Sequence, residues 1–173
     1  PCTPGRAGLY TGMYQMNHRV VANGTPLDDR FDNVARLAQR SGRQGALFGY
    51  TDQSVDPRIT LHADDPRLQT YEGLLPGFTW ELDLTGPHRP WVDFLKANGY
   101  DVSAGHMHLL ATEHERPVEH SVSRFMTDHL IDWLENQTTT AQAPWFAHAS
   151  YLRPHPPYSA PRDFTSMYDP ADV

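Results

Sequence analysis

Two short apolar segments, each followed at once by polar residues, constrain the fold of this chain most. Residues 46–50 form a buried-strand pattern after a helical pattern over residues 31–41, which Gly42 ends. Residues 145–151 form a second such strand, after a longer helical stretch over residues 121–136. Helices that alternate with short apolar strands are typical of an α/β sheet, in which ligands bind outside the carboxyl ends of the strands. We therefore expect functional residues directly after these two strands.

The segment between the two strands is less regular. Residues 51–90 are interrupted repeatedly by Asp, Pro and Gly, so we predict a long loop that forms a cover or an insertion. Residues 90–98 predict a helix, residues 101–117 are rich in histidine, and residues 137–143 predict a polar surface loop. One face of the 121–136 helix is apolar and is expected to pack in the core: Val122, Phe125, Met126, His129, Leu130, Trp133 and Leu134.

Composition excludes some classes of function. The 173 residues are enough for one core, and one domain is the simplest expectation. A formal net charge of −7, without a basic run, argues against nucleic-acid binding. No apolar stretch approaches the length of a membrane span. Cys2 is the one cysteine and can form no internal disulfide, so the sequence specifies no redox compartment.

The first dozen residues place a nucleophile and an anion-binding side chain in one helical turn. Thr3 predicts an N-cap and Pro4 suits the first helical position, so we expect a helix from Pro4 to near Gly12. Cys2 would lie just ahead of it, where free N–H groups and the helix dipole favour an anion. Arg6 lies in the first turn, and its planar guanidinium suits a tetrahedral oxyanion. Tyrosine-phosphatase loops have a longer spacer between cysteine and arginine, which excludes that alternative.

The pattern C-x-P-x-R-A-x-L-x-T-G over residues 2–12 resembles the signature of the sulfatase family, within the alkaline-phosphatase-like superfamily. The segment R-P-H-P-P-Y at residues 153–158 resembles the family's strand-end motif, in which a histidine lies on the leaving-group side of the substrate. The resemblance covers the whole chain but only an internal slice of the longer family members. It implies an α/β/α sandwich, with residues 1–173 as part of a single sulfatase catalytic domain truncated at both ends.

The resemblance also implies the catalytic residues. Cys2 would be oxidised to formylglycine by a formylglycine-generating maturation enzyme, and the hydrated aldehyde would be the nucleophile. Arg6 would stabilise charge on the non-bridging oxygens, and His155 would protonate the leaving oxygen. Arg153 stands where many members have a lysine and would bind the substrate. Formylglycine would also bind a divalent metal, calcium or manganese, whose other ligands would lie outside this chain.

Residues 49–52 narrow the resemblance to one branch of the family. They read G-Y-T-D where most members have G-K-W-H, which is similar to the phosphonate monoester hydrolases; these also hydrolyse phosphodiesters and sulfate esters. In that branch, residues matching Asn23 and Tyr50 contact the transferred group, and so does a threonine hydroxyl. Asp52 occupies the threonine's place, with Thr51 adjacent. A carboxylate there would repel an anionic substrate, so Asp52 is turned away, protonated or has a different role.

Three functional hypotheses follow from the resemblance. The first is a phosphonate monoester hydrolase acting on a small anionic ester, and the second is a strict arylsulfatase. The third is a non-catalytic sulfatase-like module that keeps Cys2 as a thiol and binds an anionic ligand or a partner chain. The resemblance allows a homo-oligomer and implies neither a nucleic-acid nor a membrane partner. The sequence specifies no compartment.

Histidines and acidic pairs offer weaker alternatives. His106 and His108 would share a face on a strand, and with His114 and His120 nearby they could suggest zinc. No acidic or cysteine partner falls at a convincing spacing, so we interpret them as exposed loop histidines. The acidic pairs, at Asp28-Asp29 and Asp64-Asp65, are interpreted as turn and helix-start residues rather than metal ligands.

Overall fold

The computed structural model describes residues 1–59, 62–139, 144–169 and 171. It divides the chain into two compact units: Pro1–Gly86 with Ala141–Ser150, and Pro87–Thr140 with Tyr151–Val173. None of the helices in these described ranges is both long and apolar enough to cross a bilayer.

A three-stranded parallel sheet forms the centre of the first unit. Strand β1 (Gln44–Gly49) lies between β2 (Phe78–Asp83) and β3 (Trp145–Ala149) and runs parallel to both. The predicted strands over 46–50 and 145–151 are confirmed with slightly different ends. The prediction of little regular structure over residues 51–90 is wrong because β2 lies within it. Only two residues of β2 are fully buried, so its apolar signal is weak.

Helix α1 (Cys2–Thr11) begins earlier than the sequence predicts. It ends as expected at Gly12, whose φ of 70° is left-handed. The prediction that Thr3 caps the helix is wrong, because Thr3 lies inside it and is fully buried. The amide oxygen of Asn23 accepts a hydrogen bond from the Thr3 N–H at 3.0 Å. The cap is therefore supplied from a distant loop, which local sequence patterns do not register.

Two further helices complete the first unit. Helix α2 spans Gln15–His18, and α3 spans Val34–Arg40, inside the predicted 31–41 segment. Asn33 caps α3 by accepting from the Ala35 and Arg36 N–H groups. The core of this unit joins the helices, the sheet and the intervening loops through one cluster of buried side chains: Ala7, Tyr10, Val20, Leu27, Ala35, Leu47, Leu75 and Phe78.

The second unit is helical over the described residues. It contains α4 (Arg89–Ala97), α5 (His106–Ala111), α6 (Val122–Thr139) and α7 (Arg162–Thr165), so the predicted helices over 90–98 and 121–136 are confirmed. Its buried apolar side chains come from α4, α5 and the first turns of α6: Trp91, Leu95, Leu109, Leu110, Val122, Phe125 and Met126.

Three sequence-based details differ in the second unit. The apolar face of α6 is fully buried only in its first turns, and His129 is exposed. Helix α6 continues through residue 139, so the predicted loop over 137–143 is wrong at its start, and its remainder lies outside the described residues. His106 and His108 lie on a helix, where residues two apart do not share a face, which removes the geometric basis for the zinc alternative.

Candidate active site

The carboxyl ends of β1 and β3 lie side by side in the first unit. The Ser150 N–H donates to the carbonyl oxygen of Phe48 at 2.8 Å, which continues the pairing beyond β3. Gly49 has a φ of 97°, and a Cβ atom there would lie 2.5 Å from the carbonyl oxygen of Ser150. Only glycine fits this approach, which brings Tyr50 and Ser150 to the same edge.

Arg6 connects α1 to that edge of the sheet. Its Nη1 donates to the carbonyl oxygen of Tyr50 at 3.0 Å and to Oγ of Ser150 at 2.5 Å. Its Nε lies 3.2 Å from Oδ2 of Asp52, and the guanidinium lies 5.3 Å from the centre of the Tyr50 ring. No partner is found for Nη2 among the residues that the structure describes. The guanidinium is thus held through Nε and Nη1, and its Nη2 can donate to a ligand.

Asp52 is turned toward Arg6, which favours the alternative that it has a different role from the threonine. Its backbone is left-handed, with φ of 54°, and its N–H donates to the carbonyl oxygen of Glu72 at 2.6 Å. This conformation directs the buried carboxylate at the guanidinium. Burial raises the pKa of the Tyr50 phenol, the charge of Asp52 raises it further, and Arg6 opposes both. Tyr50 therefore stays a neutral phenol at physiological pH.

Thr51 shapes the turn rather than facing a ligand. It is fully buried, its hydroxyl donates to the carbonyl oxygen of Gly73 at 3.2 Å, and the same oxygen accepts from the Leu75 N–H at 3.0 Å. The hydroxyl proton is already used, so the predicted substrate contact is not supported at Thr51.

Cys2 and Asn23 lie at the N-terminal end of α1. Cys2 is a half-buried free thiol in the first turn, and Asn23 is exposed while its side chain caps the same turn. The pKa of Tyr71 is raised first by burial and then by the charges of Glu72, Asp52 and Cys2. Tyr71, which the sequence did not indicate, therefore lies within electrostatic reach of the thiol.

A chain of polar contacts, here called the relay, connects Arg6 through Tyr10 to His148. The phenol oxygen of Tyr10 lies 3.5 Å from Arg6 Nη1 and 3.1 Å from Nε2 of His148. Burial lowers the pKa of His148, and Arg6 lowers it further. Because Arg6 can only donate, Tyr10 accepts from Arg6 and donates its own proton to neutral His148. The relay fixes the guanidinium without adding a second positive charge.

In the second unit, Arg153 is committed to the protein itself. Its Nε donates to buried Glu113 at 2.6 Å, and Nη2 donates to the carbonyl oxygen of Leu110 at 2.6 Å. Its Nη1 donates to the carbonyl oxygens of His155 at 2.9 Å and Pro157 at 2.5 Å. Each guanidinium nitrogen has a protein partner, which favours a role in positioning the segment that carries His155 over direct contact with a substrate.

His155 has an exposed side chain in the second unit. Its Nδ1 lies 2.7 Å from the carbonyl oxygen of Pro156. A carbonyl oxygen can only accept, so we assign the proton to Nδ1, which leaves Nε2 as the nitrogen for exchange with a ligand.

The first unit brings several residues of the predicted site together. Arg6, Tyr50 and Asp52 meet at one edge of the sheet, whereas Arg153 and His155 belong to the second unit. Sequence reasoning missed several supporting side chains: Tyr10, Tyr71, His148 and Ser150. Of these, only Ser150 could have been predicted from the sequence, because it follows the carboxyl end of an apolar strand pattern.

The described residues do not form a complete binding site for a divalent metal. They contain no group of three or more His, Cys, Asp or Glu side chains that could hold one. Cys2 alone does not constitute a metal site.

These features define an α/β protein with a cysteine and a fixed arginine on the first helix, beside the carboxyl edge of a parallel sheet. The family model for Sulfatase matches residues 1–171, and the chain therefore belongs to the sulfatase family. The multifunctional alkaline phosphatase superfamily protein PehA of Trinickia caryophylli is 33% identical over 189 residues, covering 100% of this chain and 35% of that protein. A choline-sulfatase of Rhizobium meliloti (strain 1021) is 26% identical over 169 residues, covering 97% and 32%.

Solved structures confirm the predicted fold. The phosphonate monoester hydrolase of Agrobacterium radiobacter matches with a TM-score of 0.85 and 41% identity, covering 99% of this chain and 35% of that one. The phosphonate monoester hydrolase SpPMH from Silicibacter pomeroyi matches with a TM-score of 0.86 and 37% identity, covering 100% and 36%. The chain thus spans about a third of the length of these relatives.

Proposed function

We propose that the protein containing this chain is a hydrolase of phosphonate monoesters, and that it also accepts phosphodiesters and sulfate esters. The observation that carries the proposal is the fixed guanidinium of Arg6, one turn from Cys2, with Nη2 open to an anion. The similarity to phosphonate monoester hydrolases at 37% and 41% identity supports the choice of branch.

Each residue has one task in this proposal. Cys2, matured to formylglycine, supplies a hydroxyl of its aldehyde hydrate as the nucleophile. Arg6 donates from Nη2 to a non-bridging oxygen, where negative charge accumulates as the new bond to phosphorus or sulfur forms. Asn23 and the Tyr50 phenol bind the remaining oxygens. The attacking hydroxyl gives up its proton to water, and the bond to the leaving oxygen breaks as His155, protonated on both ring nitrogens, gives that oxygen the proton on Nε2. The second hydroxyl of the hydrate then expels the esterified group and restores the aldehyde.

The family also implies a divalent metal. The described residues supply no ligand group for it, so none of the tasks above depends on the metal. We propose that any such ion takes its main ligands from parts of the protein outside this chain, and that position 2 contributes a ligand from this chain.

The test is a comparison of two substrates with the same leaving group. The complete gene product, produced with a formylglycine-generating enzyme, is assayed on 4-nitrophenyl methylphosphonate and on 4-nitrophenyl sulfate. We expect turnover of both, with the phosphonate ester preferred. Turnover of the sulfate alone would favour a strict arylsulfatase, and turnover of neither would favour the non-catalytic anion-binding module.

A further inference from the structure

We propose that Asp52 is a specificity-determining residue that sets the net charge around Arg6, so that the site favours singly charged over doubly charged tetrahedral esters. The inference rests on the proposed function, because it concerns which anions the same arginine accepts.

The ion pair is close and poorly solvated. Nε of Arg6 and Oδ2 of Asp52 are 3.2 Å apart, with side-chain exposures of 23% and 7%. Exposed pairs are weakened by water and salt, but a carboxylate this buried retains most of its field at the neighbouring ligand position. A ligand at Nη2 therefore meets the positive charge of Arg6 and, a few ångströms further, the negative charge of Asp52.

Charge counting then separates the two kinds of ester. A single negative charge on the ligand is placed against Nη2, nearest the cation, and is attracted. A second negative charge on the same phosphorus must lie farther from Nη2, where the attraction of Arg6 is weaker. The repulsion of Asp52 therefore cancels a larger share of that attraction, and the ion pair provides little net attraction for the second charge.

The described residues around this ion pair include a second carboxyl group. Asp52 donates its N–H to the carbonyl oxygen of Glu72, whose own carboxyl group accepts from the Gly86 N–H. At Nη1 of Arg6, the neighbouring Tyr10 and His148 are neutral.

The backbone makes the test clean. Asp52 has a φ of 54°, a conformation that asparagine and glycine accept readily. Asp52→Asn keeps the size of the side chain and removes its charge, while Asp52→Gly removes the whole group. Both substitutions suit the turn, so a loss of folding in one variant leaves the other as a test.

The experiment compares two esters that differ by one charge. Phenyl methylphosphonate and phenyl phosphate share the phenoxide leaving group, and at pH 8 they carry one and two negative charges. kcat/KM is measured for both with the matured complete gene product, D52N and D52G. Asp32→Asn is the matched control, because Asp32 forms an exposed pair with Arg40 away from the site.

We expect D52N and D52G to shift the ratio of kcat/KM values toward phenyl phosphate by about tenfold, the size of one partly screened charge interaction. D32N leaves the ratio unchanged. An equal loss on both esters would mean that Asp52 only orients Arg6, and an unchanged ratio would overturn the proposal. If the unsubstituted protein hydrolyses neither ester, the proposed function fails first, which separates the two failures.

Discussion

Arg153 donates a hydrogen bond to the carbonyl oxygen of His155 over 2.9 Å while its Nε donates to the buried carboxylate of Glu113. Arg153→Met would remove the ion-pair partner that contacts the buried carboxylate of Glu113, so we expect the free energy of unfolding to fall by about 3 kcal/mol. The loop that carries His155 would also lose its anchor, so kcat should fall more than KM rises. Urea denaturation and steady-state kinetics measure the two effects.

The double variant E113Q/R153M is the matched control. The glutamine oxygen can still accept from the Val122 N–H, which Glu113 does at 2.8 Å. Removing both charges together should restore part of the lost stability but not the lost kcat. A single R153M variant with native stability and native kcat would contradict the positioning role.

Substitution of Gly49 tests whether the close contact between β1 and the backbone of Ser150 is needed for a stable structure at this edge of the sheet. A Cβ atom at Gly49 would lie 2.5 Å from the carbonyl oxygen of Ser150, in a left-handed backbone. We expect Gly49→Ala to destabilise the protein by roughly 2–4 kcal/mol, since backbone atoms must separate. Gly42 has a φ of 74° and open space around it, so G42A should cost only about 1 kcal/mol. Equal losses in the two variants would mean that the contact with Ser150 is unimportant.

Asn23 combines a structural and a proposed ligand-binding role, which two substitutions separate. Asn23→Ala removes the acceptor for the Thr3 N–H and should cost about 1 kcal/mol of stability. Asn23→Asp keeps the acceptor and suits the helix dipole, so stability should be retained. Its negative charge should nevertheless weaken anion binding, which the KM for phenyl methylphosphonate would show. An unchanged KM in N23D would indicate that Asn23 only caps the helix.

His148 predicts a pH dependence of stability. Burial, and then Arg6, lower its pKa below the ordinary value of 6.5. The unfolded chain therefore takes up the proton first, and the stability that neutral His148 provides above about pH 6.5 is lost as the pH falls through the lowered folded pKa. His148→Gln does not titrate and can still accept from Tyr10. We expect the free energy of unfolding of this variant to fall less than that of the native protein between about pH 7 and 5, as measured by urea titrations at each pH. The same dependence of unfolding free energy on pH in both proteins would contradict the assignment of a neutral His148.

Much of the fold could be predicted because the signals are local. The apolar run of β1, the helical spacing of α6 and the glycine that ends α1 each act within a few residues. Strand β2 escaped prediction because its burial depends on β1 beside it rather than on its own sequence. The cap of α1 escaped for the same reason, since Asn23 reaches Thr3 from twenty residues away in the chain.

The sequence motifs identified candidate site residues, but they did not predict which groups each side chain contacts. Arg6 and Arg153 are the same residue type, and the sequence suggested an anion-binding role for both. The structure leaves Nη2 of Arg6 without a partner among the described residues, whereas every nitrogen of Arg153 has one. That difference arises from residues far away in sequence, such as Ser150 and Glu113, and no local pattern encodes it.

The central claim is that Cys2 becomes the nucleophile, and the mass of the peptide containing position 2 tests it most directly. The complete gene product is produced with a formylglycine-generating enzyme, digested, and compared with protein produced without it. The account predicts a peptide that has lost the thiol sulfur, carries an aldehyde and reacts with a hydrazide, together with ester turnover that appears only in the matured sample. An intact, alkylatable thiol in both samples would contradict the proposed nucleophile and leave Arg6 as part of an anion-binding site alone.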